Sequence, residues 1–387
     1  MIAVGGLIRL VGPPLRGAGS FEIKFDVGFD PATGKRKTRY VSFKGNKRDA
    51  ELELARLVSE HKAGLSIDPS KVTVAEFLER WDRDHAALNC TPKTLERYRQ
   101  IIKNQIKPNL GAVVIQKLRP AQLAELYSKL QTGGLAPCTV GHCHRLLHRA
   151  LGHAATWGII QANVAASVKP PRVDQAEEIP ILEEDQIERV LRHLEGRTMR
   201  PIVAVALASG ARRGELLALR LKDFKADAGT LRIERSLEQT KGRLRFKSPK
   251  TKHGRRTITL PPAIVAELRA HLLRQQERRL ALGLGRARPE DLLFARWDGG
   301  ARSPHWLTQK FGQAMQALKI EKVTVHSLRH THASQLIAAG MDVLTISRRL
   351  GHGSPTITLY YGHLFRNSDG RAAEILEATF ATSMRPN

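Results

Sequence analysis

Between Phe21 and Asp30 the chain reads FEIKFDVGFD, with Phe21, Ile23, Phe25, Val27 and Phe29 at one parity and Glu22, Lys24 and Asp26 at the other. Successive side chains of a strand point to opposite faces, so this pattern demands a half-buried β-strand and cannot sit on a helix. PATGK supplies a turn, and KRKTRYVSFK follows as a second strand carrying Lys35, Arg36, Lys37 and Arg39. A charged helix is expected from Lys47 to Lys62. A basic two-stranded ribbon fits the major groove of DNA. The plainer reading is a solvated edge strand whose lysines and arginines deter aggregation.

The charge of the whole chain favours the first reading. Its 387 residues include 63 Lys or Arg against 37 Asp or Glu, a formal charge of +26. A field of that sign attracts polyanions, with nucleic acid the commonest. Hydrophobic residues make up 42%, a globular level that excludes wholesale disorder, and the length allows two or three domains. Cys90, Cys138 and Cys143 are odd in number and too few for a disulfide framework, which points to a reducing cytoplasm. No apolar run approaches a membrane span. The opening MIAVGGLIRLVGPPLRGAGS reads as a flexible or weakly stranded leader, not a signal peptide.

Three segments follow from the punctuation. Residues 1–66 hold the hairpin and its helix, and GLSIDPSKV links them to an all-helical block over 71–172. There VAEFLERWDRDHAALN sets Phe77 and Trp81 four apart, and Thr91 with Pro92 opens TPKTLERYRQIIKNQI. Further helices are expected near Ala121–Gln131 and Thr139–Trp157, with KPPRV as the boundary. Residues 177–387 open with helices at Glu184–Leu194 and Arg200–Ser209. They pass through the strand-rich TLRIERSLEQTKGRLRFKSPKTKHGRRTITL and return to helix. The expected architecture is multidomain: a small N-terminal sheet plus helix, an all-α block, and a mainly helical α+β domain with a small antiparallel sheet.

CTVGHCHRLLHRALGH invites a metal reading, because Cys138 and His142, and His144 and His148, are four apart. Val140, Cys143, Leu147, Leu151 and Ala154 nevertheless form a helical apolar stripe, so Cys143 reads as core and the histidines as a polar face. No second cluster with zinc-finger spacing accompanies it, and no metal site is expected.

Four pieces of the last segment belong together. ASGARRGELLALR puts Arg212 at a helix junction with Glu215 one turn on. SPKTKHGRR puts Lys250 in a basic hairpin. HSLRHTHAS sets His326 and Arg329 three apart on one helix face, and LGHGSPTITLYYGH supplies His352 and Tyr361. Metal-free cleavage of a phosphodiester requires these side-chain types. Guanidiniums clamp the non-bridging oxygens, an acid protonates the departing oxygen, and a phenol attacks in line. The resulting ester stores the bond energy, so rejoining needs no ATP. Each piece alone is commonplace, and it is their order within one basic domain that carries the reading.

G-x-R-x-x-E, a hairpin lysine, H-x-x-R, L-G-H and Y-x-H in this order resemble the tyrosine recombinase, or phage integrase, family. The helical block is similar to that family's core-site-binding domain, and the hairpin-plus-helix resembles the arm-binding domain of many phage and mobile-element integrases. The resemblance implies a site-specific recombinase that integrates or excises a mobile element through a 3′-phosphotyrosine, without metal or ATP. It implies that Tyr361 attacks, Arg212 and Arg329 hold the phosphate, His326 transfers a proton and His352 hydrogen-bonds the phosphate. Glu215 supports them. Among Lys247, Lys250 and Lys252, P-K-T at a hairpin tip selects Lys250 as general acid, with Lys252 as runner-up. Gly214 stands where many relatives carry Ser. Further DNA contacts are expected from Lys35, Arg36, Lys37, Arg39, Lys252 and Arg255. The implied partners are double-stranded DNA at core and arm sites, a homotetramer on that DNA, and optionally a DNA-bending or directionality protein. Two other classes share parts of the pattern: a type IB topoisomerase-like or resolving strand transferase, and a non-catalytic DNA-binding protein.

Overall fold

The computed structural model describes residues 6–10, 19–29, 34–62, 70–173, 180–249 and 254–351. The chain divides into two compact units, Met1–Asp174 and Gln175–Asn387. The alternating segment forms β2 (Gly19–Phe29), antiparallel to β3 (Arg36–Gly45). On its other edge β2 pairs with β1 (Gly6–Leu10), so part of the expected leader is a third strand. Helix α1 (Lys47–Lys62) covers this sheet with Leu57, while Ile23 and Phe25 are buried in it.

The alternation does not run to its end. A register irregularity between Asp26 and Phe29 shifts the parity. Phe29, beyond it, is 60% exposed, and Asp26, just before it, is buried, the reverse of the expected faces. A bulge inserts an extra residue and turns every later side chain over. The buried Asp26 carboxylate is matched by an ion pair from Arg36.

The helical block begins at α2 (Val74–Trp81). Thr73 caps it and exchanges bonds with Glu76 in a capping box. The chain continues through a π-helical turn into α3 (Ala87–Asn89). Helix α4 (Pro92–Ile101), with Pro92 in its first turn, passes through a second π turn into α5 (Lys107–Leu110). Helices α6 (Pro120–Thr132) and α7 (Pro137–Thr156) complete the block. Phe77, Trp81, Cys143, Leu147 and Leu151 share its core. His144 departs from the polar face expected of it: it is buried, within 3.1 Å of the Tyr127 hydroxyl. A ring with a hydroxyl partner loses little on burial, and that is why a histidine can share a face with the leucines.

In the second unit α8 (Glu184–His193) and α9 (Met199–Ser209) lead into the short α10 (Arg213–Leu216). Strands β4 (Phe224–Lys225), β5 (Thr230–Ile233) and β8 (Arg256–Thr259) form one antiparallel sheet. Strands β6 (Ser236–Thr240) and β7 (Arg243–Lys247) form a separate hairpin. Its two turn residues, Lys241 and Gly242, both have positive φ, as a type I′ turn requires. Helices α11 (Pro262–Ala281), α12 (Pro304–Ala317), α13 (Ser327–Ala338) and α14 (Val343–Leu350) follow. One apolar core runs from Leu182 to Leu328 through these elements, and α13 and α14 pack through Ala333, Ile337, Ile346 and Leu350. Among the described residues no helix is long and apolar enough to cross a membrane.

Candidate active site

Helix α9 ends on Gly210, whose φ of 60° is left-handed. A Cβ there would meet Leu350 Cδ2 at 2.6 Å and His332 Cδ2 at 2.7 Å, so only glycine lets α13 and α14 come this close. Two residues on, Arg212 is the N-cap of α10. The Glu215 carboxylate accepts from the Arg212 amide and from its Nη1, both at 2.9 Å. One side chain thereby fixes both the backbone and the guanidinium of Arg212, which stays 43% exposed.

Glu215 is itself buried and has a second cation. Arg256 Nη2, from β8, donates to its Oε2 at 2.9 Å, and the two side chains are only 6% and 5% exposed. Burial alone would raise the Glu215 carboxyl, but the charge and hydrogen bond of Arg256, with the Arg212 amide and charge, hold it below the ordinary carboxylate value. Arg256 also donates through Nε to the Arg349 carbonyl at 2.7 Å, tying β8 to the last turn of α14.

Arg329, on α13, is almost fully buried. Its Nη1 donates to Gly210 O at 2.6 Å and its Nη2 to Leu350 O at 2.7 Å. These carbonyls orient the fork without cancelling its charge. Arg212 Nη2 reaches Gly351 O at 3.4 Å, so both guanidiniums are referenced to the same junction at the end of α14. His326 is the N-cap of α13, and its ring lies 4.7 Å from that of His330. His326 keeps exposed surface, yet desolvation first, then the charges of Arg329, Arg212 and Arg213, lower its pKa. At neutral pH it is therefore an uncharged imidazole able to accept a proton.

His332 lies one helical turn beyond Arg329. Its Nδ1 is 2.7 Å from Leu207 O, which makes Nδ1 the donor and leaves Nε2 to accept from Arg349 Nε at 3.1 Å. Arg349 also donates to Ala208 O and Thr259 O. This second layer was missed in the sequence. Two signals could have found it: Arg256 shares the parity of Ile258 and Leu260, and His332 follows Arg329 by three. The structure brings Arg212, Glu215, His326 and Arg329 together. Lys250, Lys252, His352 and Tyr361 lie outside the described residues, the two lysines between β7 and β8. Lys247 forms an ion pair with Glu238. Arg255 is exposed beside β8, and Lys35, Arg36 and Lys37 are exposed on the N-terminal sheet, with Arg39 partly covered.

Gly214 has its own constraint. A Cβ there would lie 2.5 Å from Leu237 O and 2.5 Å from Ser236 Oγ, because β6 passes directly against α10.

Comparison with known proteins identifies the family. The phage integrase family model matches residues 180–368, and the model of the phage integrase N-terminal SAM-like domain matches residues 73–131. The chain belongs to the phage integrase family of tyrosine recombinases, enzymes that break and rejoin DNA strands. A XerC-like tyrosine recombinase of Caldanaerobacter subterraneus is 25% identical over 86% of this chain and 90% of its own. The ICEBs1 integrase of Bacillus subtilis is 26% identical over 93% of this chain and 97% of its own. Among solved structures, the Tn1549 transposon integrase in complex with transposon right-end DNA superposes with a TM-score of 0.66 at 20% identity. It covers 79% of this chain and 99% of that one. A lambda integrase from a tetramer bound to a Holliday junction gives 0.56 at 20% identity, over 86% of this chain and 94% of that one.

Proposed function

We propose that this integrase cleaves duplex DNA by attack of the Tyr361 phenol, forming a 3′-phosphotyrosine and freeing a 5′-hydroxyl. Arg212 and Arg329 hold the two non-bridging oxygens, neutral His326 takes part in proton transfer, Lys250 protonates the leaving 5′-oxygen and His352 hydrogen-bonds the phosphate. The carrying observation is that Arg212 and Arg329 are both anchored at the junction of Gly210 with Leu350 and Gly351, close enough for their charges to act on His326. Two buried or anchored guanidiniums spend little conformational entropy on binding a phosphate, and they stand ready where charge grows in the transition state.

The three-part division belongs to the same reading. Residues 177–387 carry the chemistry, 71–172 grip the core site, and 1–66 bind a separate arm-type site, making one chain bivalent for DNA. Four copies assemble on two duplexes, with a DNA-bending or directionality protein as an optional addition, in the cytoplasm.

A nicked suicide duplex tests the chemistry. Tyr361→Phe abolishes covalent capture, whereas Tyr360→Phe retains it. Capture lost only in Tyr360→Phe overturns the assignment.

A further inference from the structure

A second cluster of arginines lies at the other end of α9. Thr198 and Pro201, at the start of that helix, line a recess together with Arg197, Arg274, Arg278, Arg279, Arg296 and Trp297. Nine residues of helix separate Pro201 from Gly210, which at 1.5 Å per residue is roughly 14 Å. The recess is therefore distinct from the catalytic junction.

Its charge is only partly answered. Arg279 pairs with Asp291, Arg296 with Asp298, and Arg274 reaches Glu267 at 3.8 Å. Arg197 and Arg278, which also line the recess, form no ion pair among the described residues. Trp297 stands at the recess 67% exposed, an unusual position for so large an apolar ring. Arginine forks beside an exposed aromatic ring are the combination that nucleic acid takes, with phosphate on the forks and a base or sugar against the ring.

We infer that this recess is a second phosphate site, which takes the backbone of a DNA segment other than the one presented to Tyr361. The assignment rests on the reading of the chain as a DNA recombinase. On it, one protomer touches DNA at two points of the same catalytic unit.

The test uses the full chain and the double variant Arg197→Ala/Arg278→Ala, both positions being exposed. Binding to two labelled duplexes, one spanning only the cleaved core and one extended by flanking DNA, is measured against salt. Loss of two phosphate contacts lowers the log–log salt slope by about 2 on the extended duplex. The slope on the core duplex, and the rate of covalent capture there, stay at wild-type values. An unchanged slope on both duplexes overturns the inference, as does an equal fall on both, which would put these arginines on the core itself. Inorganic phosphate forms the second arm. If it perturbs Trp297 fluorescence while the slopes do not change, the recess takes free oxyanion and the DNA assignment fails. Absence of capture by the wild-type chain would count against the recombinase reading, not against the recess.

Discussion

Glu215→Gln separates what the Glu215 carboxylate does for folding from what it does for the site. The substitution keeps the shape and removes the charge. Arg256, 6% exposed, then loses its only carboxylate among the described residues, while Arg212, 43% exposed, can turn to solvent. Stranding a buried cation costs about 3–5 kcal/mol. Arg256→Met is the informative counterpart. It leaves Glu215 with the Arg212 guanidinium and amide, so the loss is close to that of one charge-assisted hydrogen bond, about 1.5–3 kcal/mol. For a unit of this size each kcal/mol moves Tm by about 2–4 °C. Glu215→Gln therefore lowers the catalytic-unit transition by roughly 6–20 °C, and Arg256→Met by about half as much. The double variant loses less than the sum, because neither charge is left buried alone, and the coupling falls within about 0.5–3 kcal/mol. Scanning calorimetry of the full chain reads all three. Equal losses for the two single variants, or strict additivity, would refute the argument that the pair is held together by mutual neutralisation.

Other outcomes follow from single contacts. Because the Glu215 carboxyl is held below its ordinary value, its contribution is complete above the unfolded carboxylate pKa and is lost as pH falls through the depressed folded value. Acid titration should therefore shift the midpoint of wild type more than that of Glu215→Gln. Gly210→Ala forces a side chain into left-handed backbone and against His332 and Leu350; it should cost at least about 1–3 kcal/mol and slow capture on a suicide duplex. Gly214→Ser should destabilise the chain, since Leu237 O stands 2.5 Å from the new Cβ. A thermal scan showing a rise would refute that. The lowered pKa of His326 places the acid limb of the cleavage pH profile below the ordinary imidazole value of about 6.5, a limb that His326→Gln should remove.

Much of this was legible because local rules and tertiary demands agree. Thr73 before an amphipathic run, Pro92 at a helix start and the 21–25 alternation each act within a few residues, and the elements form where those signals place them. Arg212 and Glu215 were legible for the same reason: three residues on one short helix bring them into contact. The bulge at Asp26–Phe29 was not, since its ion pair comes from Arg36 across the turn, and apolar patterning does not register a polar contact. His144 was misplaced because periodicity sorts residues by polarity and cannot see that Tyr127, on another helix, offers a hydroxyl. Arg256, His332 and Arg349 were hidden for a third reason: their partners lie 41, 125 and 141 residues away in sequence.

Those long-range partners also show how the cations of the site are held in place. A phosphodiester carries a single negative charge, and its transition state spreads that charge over more oxygens, so a site gains by presenting fixed positive groups that do not reorganise. Arginine alone would not stay in place, because each free guanidinium prefers water and loses entropy when held. The structure meets this with two kinds of anchor. Arg329 is oriented by backbone carbonyls, which take no charge from it. Arg212 is oriented by a carboxylate, and that carboxylate is shared with Arg256, so two positive charges face one negative. A carboxylate serving Arg212 alone would hold the fork equally well but cancel it. On the proposed chemistry Arg256 has a role beyond packing: it lets Glu215 position Arg212 while the group as a whole remains cationic. This predicts that Arg256→Met impairs capture more than its stability loss explains, because Glu215 then neutralises Arg212 outright. Capture rates measured well below the melting transition check it. A rate equal to wild type there would show that the shared charge is structural only.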